Sequence, residues 1–256
     1  MRELAISAAK EAGRILMENF GKIEQVDKKG ERELVSNVDI ASENKILEII
    51  KDKYPDHDIL CEESGLKNST SDYKWIIDPL DGTHNYVYGI NMFGVSIALA
   101  YKGEIILGVI NMPYTNEIYW AEKGKGAYFN GQRMHVSDRG MKNALAIYDS
   151  GLFVKTTERT GFLAILVSRI FNVRVFGAST RHLTYVASGR ADLQIEYGDK
   201  PWDFAAGGLM VEEAGGRITQ LDGSKWSVYN EGYVSSNGKF HDEIIDLLKA
   251  FIEPQK

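Results

Sequence analysis

Residues 75–86 read WIIDPLDGTHNY. An apolar run with the pattern of a buried strand, Trp75-Ile76-Ile77, ends in two carboxylates three residues apart, Asp78 and Asp81, with Pro79 between them and Gly82-Thr83 behind. Charge at the end of a core strand is costly unless something binds it. Pro79 disfavours the helical region for Asp78, so the strand is expected to run extended to its end before turning. Asp81 then lies within one turn of Asp78, and oxygens of both can face one point. A hard divalent cation such as Mg²⁺ takes oxygen ligands and keeps several waters, so this pair plus the Leu80 carbonyl makes a partial shell. Behind them, Gly82 and Thr83 offer backbone N–H groups at the start of a helical turn, a favourable seat for phosphate.

The rest of the chain bounds what such a site can serve. Its 256 residues suffice for one large domain or two closely packed ones. Hydrophobic content of 44% and charged content of 26% are those of a globular protein and exclude disorder. The net charge is −6 and the lysines and arginines are scattered, so no basic stripe speaks for a nucleic-acid partner. No apolar stretch approaches the roughly 18 residues that span a bilayer. The first twenty residues place Leu4, Ala8, Ala12, Ile15 and Leu16 on one helical face and carry acids, which reads as a docked helix and not as a targeting segment. The single cysteine, Cys61, allows no internal disulfide, which fits a cytoplasmic protein.

Along the chain, a second helix is expected from Ser36-Asn37 to just before Pro55, with Asp39 in its first turn. Charged residues 27–33, DKKGERE, read as a mobile loop. From Phe93 to Tyr128, short β-rich runs separated by turn residues predict an antiparallel meander. The second half alternates: a helix around 160–170, a strand at VRVFG (173–177), a helix after Ser179, a strand at ADLQIE (191–196), and a helix from about Asp203 to Ala214 that Gly215-Gly216 terminate. We therefore expect two mixed α/β halves, 1–145 carrying most of the acids and 146–256 completing the site, packed as one unit without a linker.

Acids recur at element ends: Asp39 at a helix start, Glu62-Glu63 after the apolar DIL run, Asp78 and Asp81 after WII, and Asp203 behind Trp202. Singly, each has a plain reading as a cap, a turn or a solvated loop. Together they match a different need. A phosphomonoester is attacked most readily when cations neutralise its oxygens and hold the attacking water, and such ions require several carboxylates drawn from distant parts of the chain.

At this point the sequence resembles the inositol monophosphatase family of Mg²⁺-dependent, lithium-sensitive phosphatases. DPLDGTHN (78–85) matches its D-P-x-D-G-T-x-N signature, and WDFAAGGLMVEEAGG (202–216) is similar to its second signature. LVSNVD, the EES of CEES, GKGAYFNG and VASGRADLQIE extend the likeness over about residues 34–222. The resemblance implies that Glu62, Asp78, the Leu80 carbonyl, Asp81 and Asp203 bind two or three Mg²⁺ ions. It implies that Asp39 and Thr83 orient and activate the attacking water, which fits a threonine hydroxyl that accepts from water while donating to a carboxylate. It assigns Glu196 to the substrate hydroxyls, and Gly177, Ala178 and Ser179 to the sugar ring beside Gly82 and Thr83. It further implies hydrolysis by direct attack of a metal-activated water with no phosphoenzyme, a layered α/β/α/β/α sandwich of the sugar phosphatase type, and a homodimer.

Other residues read more plainly. His84 varies in the family and suits packing or a surface hydrogen bond, while His57, His135, His182 and His241 show no zinc spacing. Cys61 closes an apolar run and reads as core, Trp202 as a prop for Asp203, and Lys28-Lys29 as solvated unless their loop covers the metals. Substrate is less legible than chemistry. Myo-inositol 1-phosphate is the first choice and fructose 1,6-bisphosphate the alternative, which would need a second cationic seat, for which Arg181 and Lys200 are candidates. A regulatory protein-binding role is the reading from another class.

Overall fold

The computed structural model describes residues 1–22, 26–28, 34–67 and 70–252. The chain begins with α1 (Arg2–Asn19), whose buried face is built of Ala5, Ala8, Ala9, Ala12, Gly13 and Leu16. Small residues there let the helix lie close on what it covers: a Cβ on Gly13 would stand 2.2 Å from the Asn111 amide nitrogen, which itself donates to the Ala9 carbonyl at 2.8 Å. A short antiparallel ribbon follows, β1 (Val26–Lys28) and β2 (Leu34–Ser36). Asp27 and Lys28 are therefore in a strand where a loop was expected; Lys29 and the remainder of that stretch to residue 33 lie outside the described residues. Ser36 then caps α2 (Asn37–Lys53), its hydroxyl accepting from the Val38 N–H at 3.2 Å.

The large sheet comprises β3 (Asp58–Cys61), β4 (Gly65–Lys67), β5 (Tyr73–Asp81), β6 (Gly94–Tyr101), β7 (Glu104–Met112), β8 (Glu117–Glu122), β9 (Gly126–Phe129) and β10 (Gln132–Met134), in the order β10-β9-β8-β7-β6-β5-β3-β4. From β6 to β9 it is the expected meander. Its strands are apolar on both faces because both are covered. Trp75, Ile77, Val95, Ile97 and Leu99 point to the α1/α2 layer, while Ile76, Ala98, Ala100 and Ile110 point the other way. Between β5 and β6 comes the short α3 (Thr83–Val87), entered through Gly82 at φ 82°. There only glycine fits easily, since a Cβ would also stand 2.8 Å from the Met92 carbonyl.

The smaller sheet orders β12 (Asn172–Arg174), β11 (Leu145–Tyr148), β13 (Leu193–Glu196), β15 (Tyr233–Ser236) and β14 (Arg217–Thr219). Its outer face packs on α4 (Thr156–Val167) and α7 (His241–Ile252). Between the two sheets lie α5 (Ser179–Ala187) and α6 (Pro201–Glu213), whose buried residues share one cluster with both. The layers thus run α1α2, large sheet, α5α6, small sheet, α4α7, a mixed α/β/α/β/α sandwich. Boundaries depart from expectation in three places. The helix expected at 160–170 begins at Thr156; α6 begins at Pro201 because proline suits the first turn; and of VRVFG only Val173 and Arg174 are in a strand, with Gly177 at φ +69° turning the chain into α5.

Candidate active site

Three features of the chain path bring the acids together. The first is the parallel pairing of β3 with β5, Cys61 opposite Ile77. Parallel neighbours end side by side, so Glu62, whose N–H donates to the Ile77 carbonyl at 3.2 Å, sits next to Asp78.

The second is a bulge. Opposite Asp78 stands Ser96 and opposite Asp81 stands Gly94, so three steps along β5 match two along β6. In a regular strand residues three apart face opposite sides; the extra residue returns Asp81 to the side of Asp78. The strand runs extended through Pro79 to Asp81. Pro79 contributes its carbonyl, which accepts from the Ser42 hydroxyl at 2.8 Å, and the Leu80 N–H donates to Asp78 Oδ1 at 2.9 Å.

The third is a pair of helix starts. Asp39 and Asp203 each occupy the third position of a helix, where a carboxylate can reach back to the capping residue. The Ser36 N–H donates to Asp39 Oδ2 at 2.9 Å, and the Lys200 N–H to Asp203 Oδ2 at 2.7 Å. These bonds fix the carboxylates in direction. Asp39 Oδ1 receives the Thr83 hydroxyl at 3.3 Å, a hydroxyl also 3.0 Å from the Leu80 carbonyl.

The outcome is a centre in which Asp78, Asp81 and Asp203 offer oxygens all within 4.8 Å of one another. Asp81 is held by the start of α5: Ser179 N–H donates to it at 3.1 Å, Thr180 N–H at 2.8 Å, and the Thr180 hydroxyl makes a further short bond. The Gly82 amide is turned to the same carboxylate. Burial raises all three acids above the ordinary carboxylate range, Asp78 and Asp203 well above it, with Glu62, Asp81 and Asp203 adding to the rise of Asp78. Buried carboxylates that oppose each other's ionisation favour a bound cation, and an all-oxygen set without histidine or cysteine fits Mg²⁺. Glu62 acts on Asp78 and Asp203 through its charge and stands outside the tight triad.

The wall beside this centre is also acidic. Gly177, Ala178 and Ser179 form the turn into α5, tied to α3 by the Asn85 amide, which donates to the carbonyls of Phe176 at 2.7 Å, Gly177 at 3.3 Å and Met92 at 2.8 Å. Glu196 ends β13, 4% exposed, and burial with Asp199 and Asp149 nearby raises it well above the usual range. Asp199, raised by burial to about 7, accepts the Tyr233 hydroxyl at 2.8 Å.

The two expected phosphate-binding cations are engaged elsewhere. Arg181, 3% exposed, donates to Glu117 at 2.5 Å and joins α5 to β8. Lys200 is exposed and lies 3.5 Å from Glu231. Four site residues escaped the sequence reading: Asn85, Thr180, Asp199 and Asp149. Asn85 had a signal, being the closing position of the first signature; Thr180 had a weak one, a hydroxyl at a helix start. The two aspartates had none, because only the packing of the small sheet beside α5 places them at the site.

The model of the inositol monophosphatase family matches residues 1–253. The chain is 38% identical, over 98% of its length and 96% of the relative's, to a fructose-1,6-bisphosphatase/inositol-1-monophosphatase of Aquifex aeolicus. It is 36% identical, over 97% of its length and 98% of the relative's, to the Nus factor SuhB of Escherichia coli. Its fold superposes on a Thermotoga maritima IMPase with a TM-score of 0.91 at 33% identity, over 99% of this chain and 98% of that one. A match from first residue to nearly the last, in sequence and in fold, leads to one conclusion: the chain belongs to the inositol monophosphatase family, phosphatases that are generally Mg²⁺-dependent.

Proposed function

We propose that this member of the family is a phosphomonoesterase that releases phosphate from myo-inositol 1-phosphate, with Glu62, Asp78, the Leu80 carbonyl, Asp81 and Asp203 as ligands of two or three Mg²⁺ ions. The observation that carries the reading is the convergence of the Asp78/Asp81/Asp203 oxygens within 4.8 Å beside a threonine that donates to Asp39 at 3.3 Å. Mg²⁺ bound by the acids supplies the positive charge that phosphate oxygens and an ionising water require. Thr83 gives its proton to Asp39 or the Leu80 carbonyl and keeps lone pairs with which to accept from the attacking water. Asp39, buried and pinned by Ser36, lends the hydroxyl basicity and keeps it aimed. The starts of α3 and α5, with Gly82, Gly177, Ala178 and Ser179, border the phosphate and ring, and Glu196 receives a hydroxyl.

A monophosphate suits this wall better than a bisphosphate does. Arg181 and Lys200 already have carboxylate partners, and the wall offers Glu196 and Asp199 where a second phosphate would need a cation. The name of the Escherichia coli relative favours a second reading, a partner of the transcription machinery. We further read the protein as a cytoplasmic homodimer of two-halved subunits meeting near residue 145, for which the separate sheets on either side of that point speak. No helix among the described residues is long and apolar enough to cross a membrane.

The test is release of inorganic phosphate from myo-inositol 1-phosphate, fructose 1,6-bisphosphate and 3′-phosphoadenosine 5′-phosphate, with Mg²⁺ or with EDTA, beside Asp81→Asn. Mg²⁺-dependent release, fastest from the inositol ester and lost in the variant, is the expected result. No release from any of the three by folded, Mg²⁺-bound protein would sink the assignment and favour the transcription-partner reading.

A further inference from the structure

The steps above leave a second group of buried charges unused. β11 and β13 run parallel, Tyr148 opposite Ile195, so the residues that follow them, Asp149 and Glu196, also end side by side. The Asp149 N–H donates to the Ile195 carbonyl at 3.0 Å, and the two side chains share a hydrogen bond. Two carboxyl groups can do so only with a proton between them.

The surroundings decide which of the two keeps it. Asp149 Oδ2 receives Arg159 Nη1 at 2.7 Å and Oδ1 receives the Gly151 N–H at 2.5 Å, with Asp149 4% and Arg159 8% exposed. Arg159 comes from α4. It also donates to the Gly151 carbonyl at 2.7 Å and lies 4.9 Å from the centre of the Tyr197 ring, the residue after Glu196. Tyr148 closes the frame: its hydroxyl donates to the Arg159 carbonyl at 2.7 Å and stands 2.8 Å from the Tyr197 hydroxyl. Glu196 meets no comparable cation. His182 Nδ1 is 3.9 Å from Glu196 Oε2, and His182 is buried and held neutral, pushed down to about 3. The one guanidinium goes to Asp149, while Glu196 has none and is held well above the usual carboxylate range by burial and by Asp199 and Asp149 beside it, which makes Glu196 the acid.

We propose that Asp149, clamped by Arg159 and the Gly151 amide, is a positioning residue that engages one oxygen of Glu196 so that the other meets a substrate hydroxyl, making the pair the part of the site that selects polyol phosphates. This rests on the polyol-phosphate reading above. The physical gain is that a carboxylic acid donating to Asp149 presents a neutral acceptor to a hydroxyl. A further negative charge would otherwise lie buried beside Asp149 and Asp199.

Glu196→Gln is the sharp test, because glutamine keeps one donor for Asp149 and one acceptor for the hydroxyl. It is expected to raise KM for myo-inositol 1-phosphate no more than about threefold, against roughly thirtyfold for Glu196→Ala, a loss in the range of one buried hydrogen bond. Asp149→Asn is expected to lower the kcat/KM ratio of myo-inositol 1-phosphate to p-nitrophenyl phosphate, which has no polyol, by roughly tenfold. Arg159→Lys is expected to move it the same way by less, which covers the case in which Asp149→Asn fails to fold. If Gln is as damaging as Ala, or if the ratio stays unchanged, the proposal is overturned. A readout independent of turnover is the infrared carboxylic-acid band of Glu196 at pH 7, assigned by its loss in Glu196→Gln. Its presence in the wild type and loss in Asp149→Asn support the pairing even if the enzyme prefers another ester, an outcome that would overturn the substrate assignment alone. Its absence from the wild type overturns the pairing itself.

Discussion

Thr83 illustrates how much rests on single atoms here. Its hydroxyl is 3.3 Å from Asp39 Oδ1 and 3.0 Å from the Leu80 carbonyl, so it joins the start of α2 to the end of β5. Thr83→Ala removes the proposed acceptor for the attacking water and leaves the acids in place. We expect kcat to fall about 10²- to 10⁴-fold with KM little changed, as measured by steady-state phosphate release. Serine, which keeps the hydroxyl, should restore most of the rate. Asp39 itself is oriented by Ser36, whose N–H at 2.9 Å and hydroxyl at 2.6 Å both reach Oδ2. That relation was legible in advance: Ser36 followed three residues later by an acid is a capping pattern, and the signature around Thr83 is local. The distance between the two residues was not legible, since they stand 44 positions apart.

Among the elements, α6 does the most to place the site. It brings Asp203 to the triad and lies so close to the large sheet that a Cβ on Gly108 of β7 would stand 2.6 Å from the Ala206 carbonyl. On its other side a Cβ on Gly207 would stand 2.5 Å from Leu183 Cβ of α5. The run Ala205-Ala206-Gly207-Gly208 is therefore a packing device that also sets the depth of Asp203. Gly108→Ala is expected to cost about 1–3 kcal/mol, read from urea denaturation, because the sheet and a helix backbone would have to part. It should also weaken Mg²⁺ binding severalfold, measured by calorimetry, although residue 108 touches no ligand. The existence of α6 and its aspartate could be read from periodicity and the second signature. Its closeness to β7 could not, since a glycine in a strand shows only that some backbone approaches, not which one.

At the scale of the whole molecule, the acid cluster couples ligand binding to folding. Without cations, burial raises Asp78, Asp81 and Asp203, the charge of Asp81 raises the other two further, and all three oppose the fold. Mg²⁺ at about one hundred times its Kd should stabilise the protein by about 2.7 kcal/mol, seen as a rise in the melting midpoint that EDTA abolishes. Asp78→Asn, melted in EDTA, should unfold no earlier than the wild type, and the rise on adding Mg²⁺ should shrink.

A second linkage lies outside the acid cluster. His241 of α7 is 1% exposed, bonded to Ser236 at 2.8 Å and Thr219 at 2.9 Å, and is pushed down to about 4, chiefly by burial. Its unfolded value is about 6.5, so between these values the unfolded chain binds more protons. Its contribution to stability is complete above pH 6.5 and declines as the pH falls toward 4, by about 2–3 kcal/mol. Urea midpoints in Mg²⁺ at pH 7, 5 and 4 should show the decline, and His241→Gln should flatten it.

By itself the sequence determined the family and the class of fold. Asp78, Asp81, Gly82 and Thr83 lie inside one long signature and Asp203 inside the second, and such local patterns need no knowledge of what packs on what. The tertiary structure alone decided how those acids meet. The parallel pairing of β3 with β5 sets Glu62 beside Asp78, the bulge returns Asp81 to the side of Asp78, and the parallel pairing of β11 with β13 sets Asp149 beside Glu196. It also turned Arg181 away to Glu117. Strand partners and registers arise from contacts between segments distant in the chain, and a residue's type carries no record of the neighbour that packing will give it.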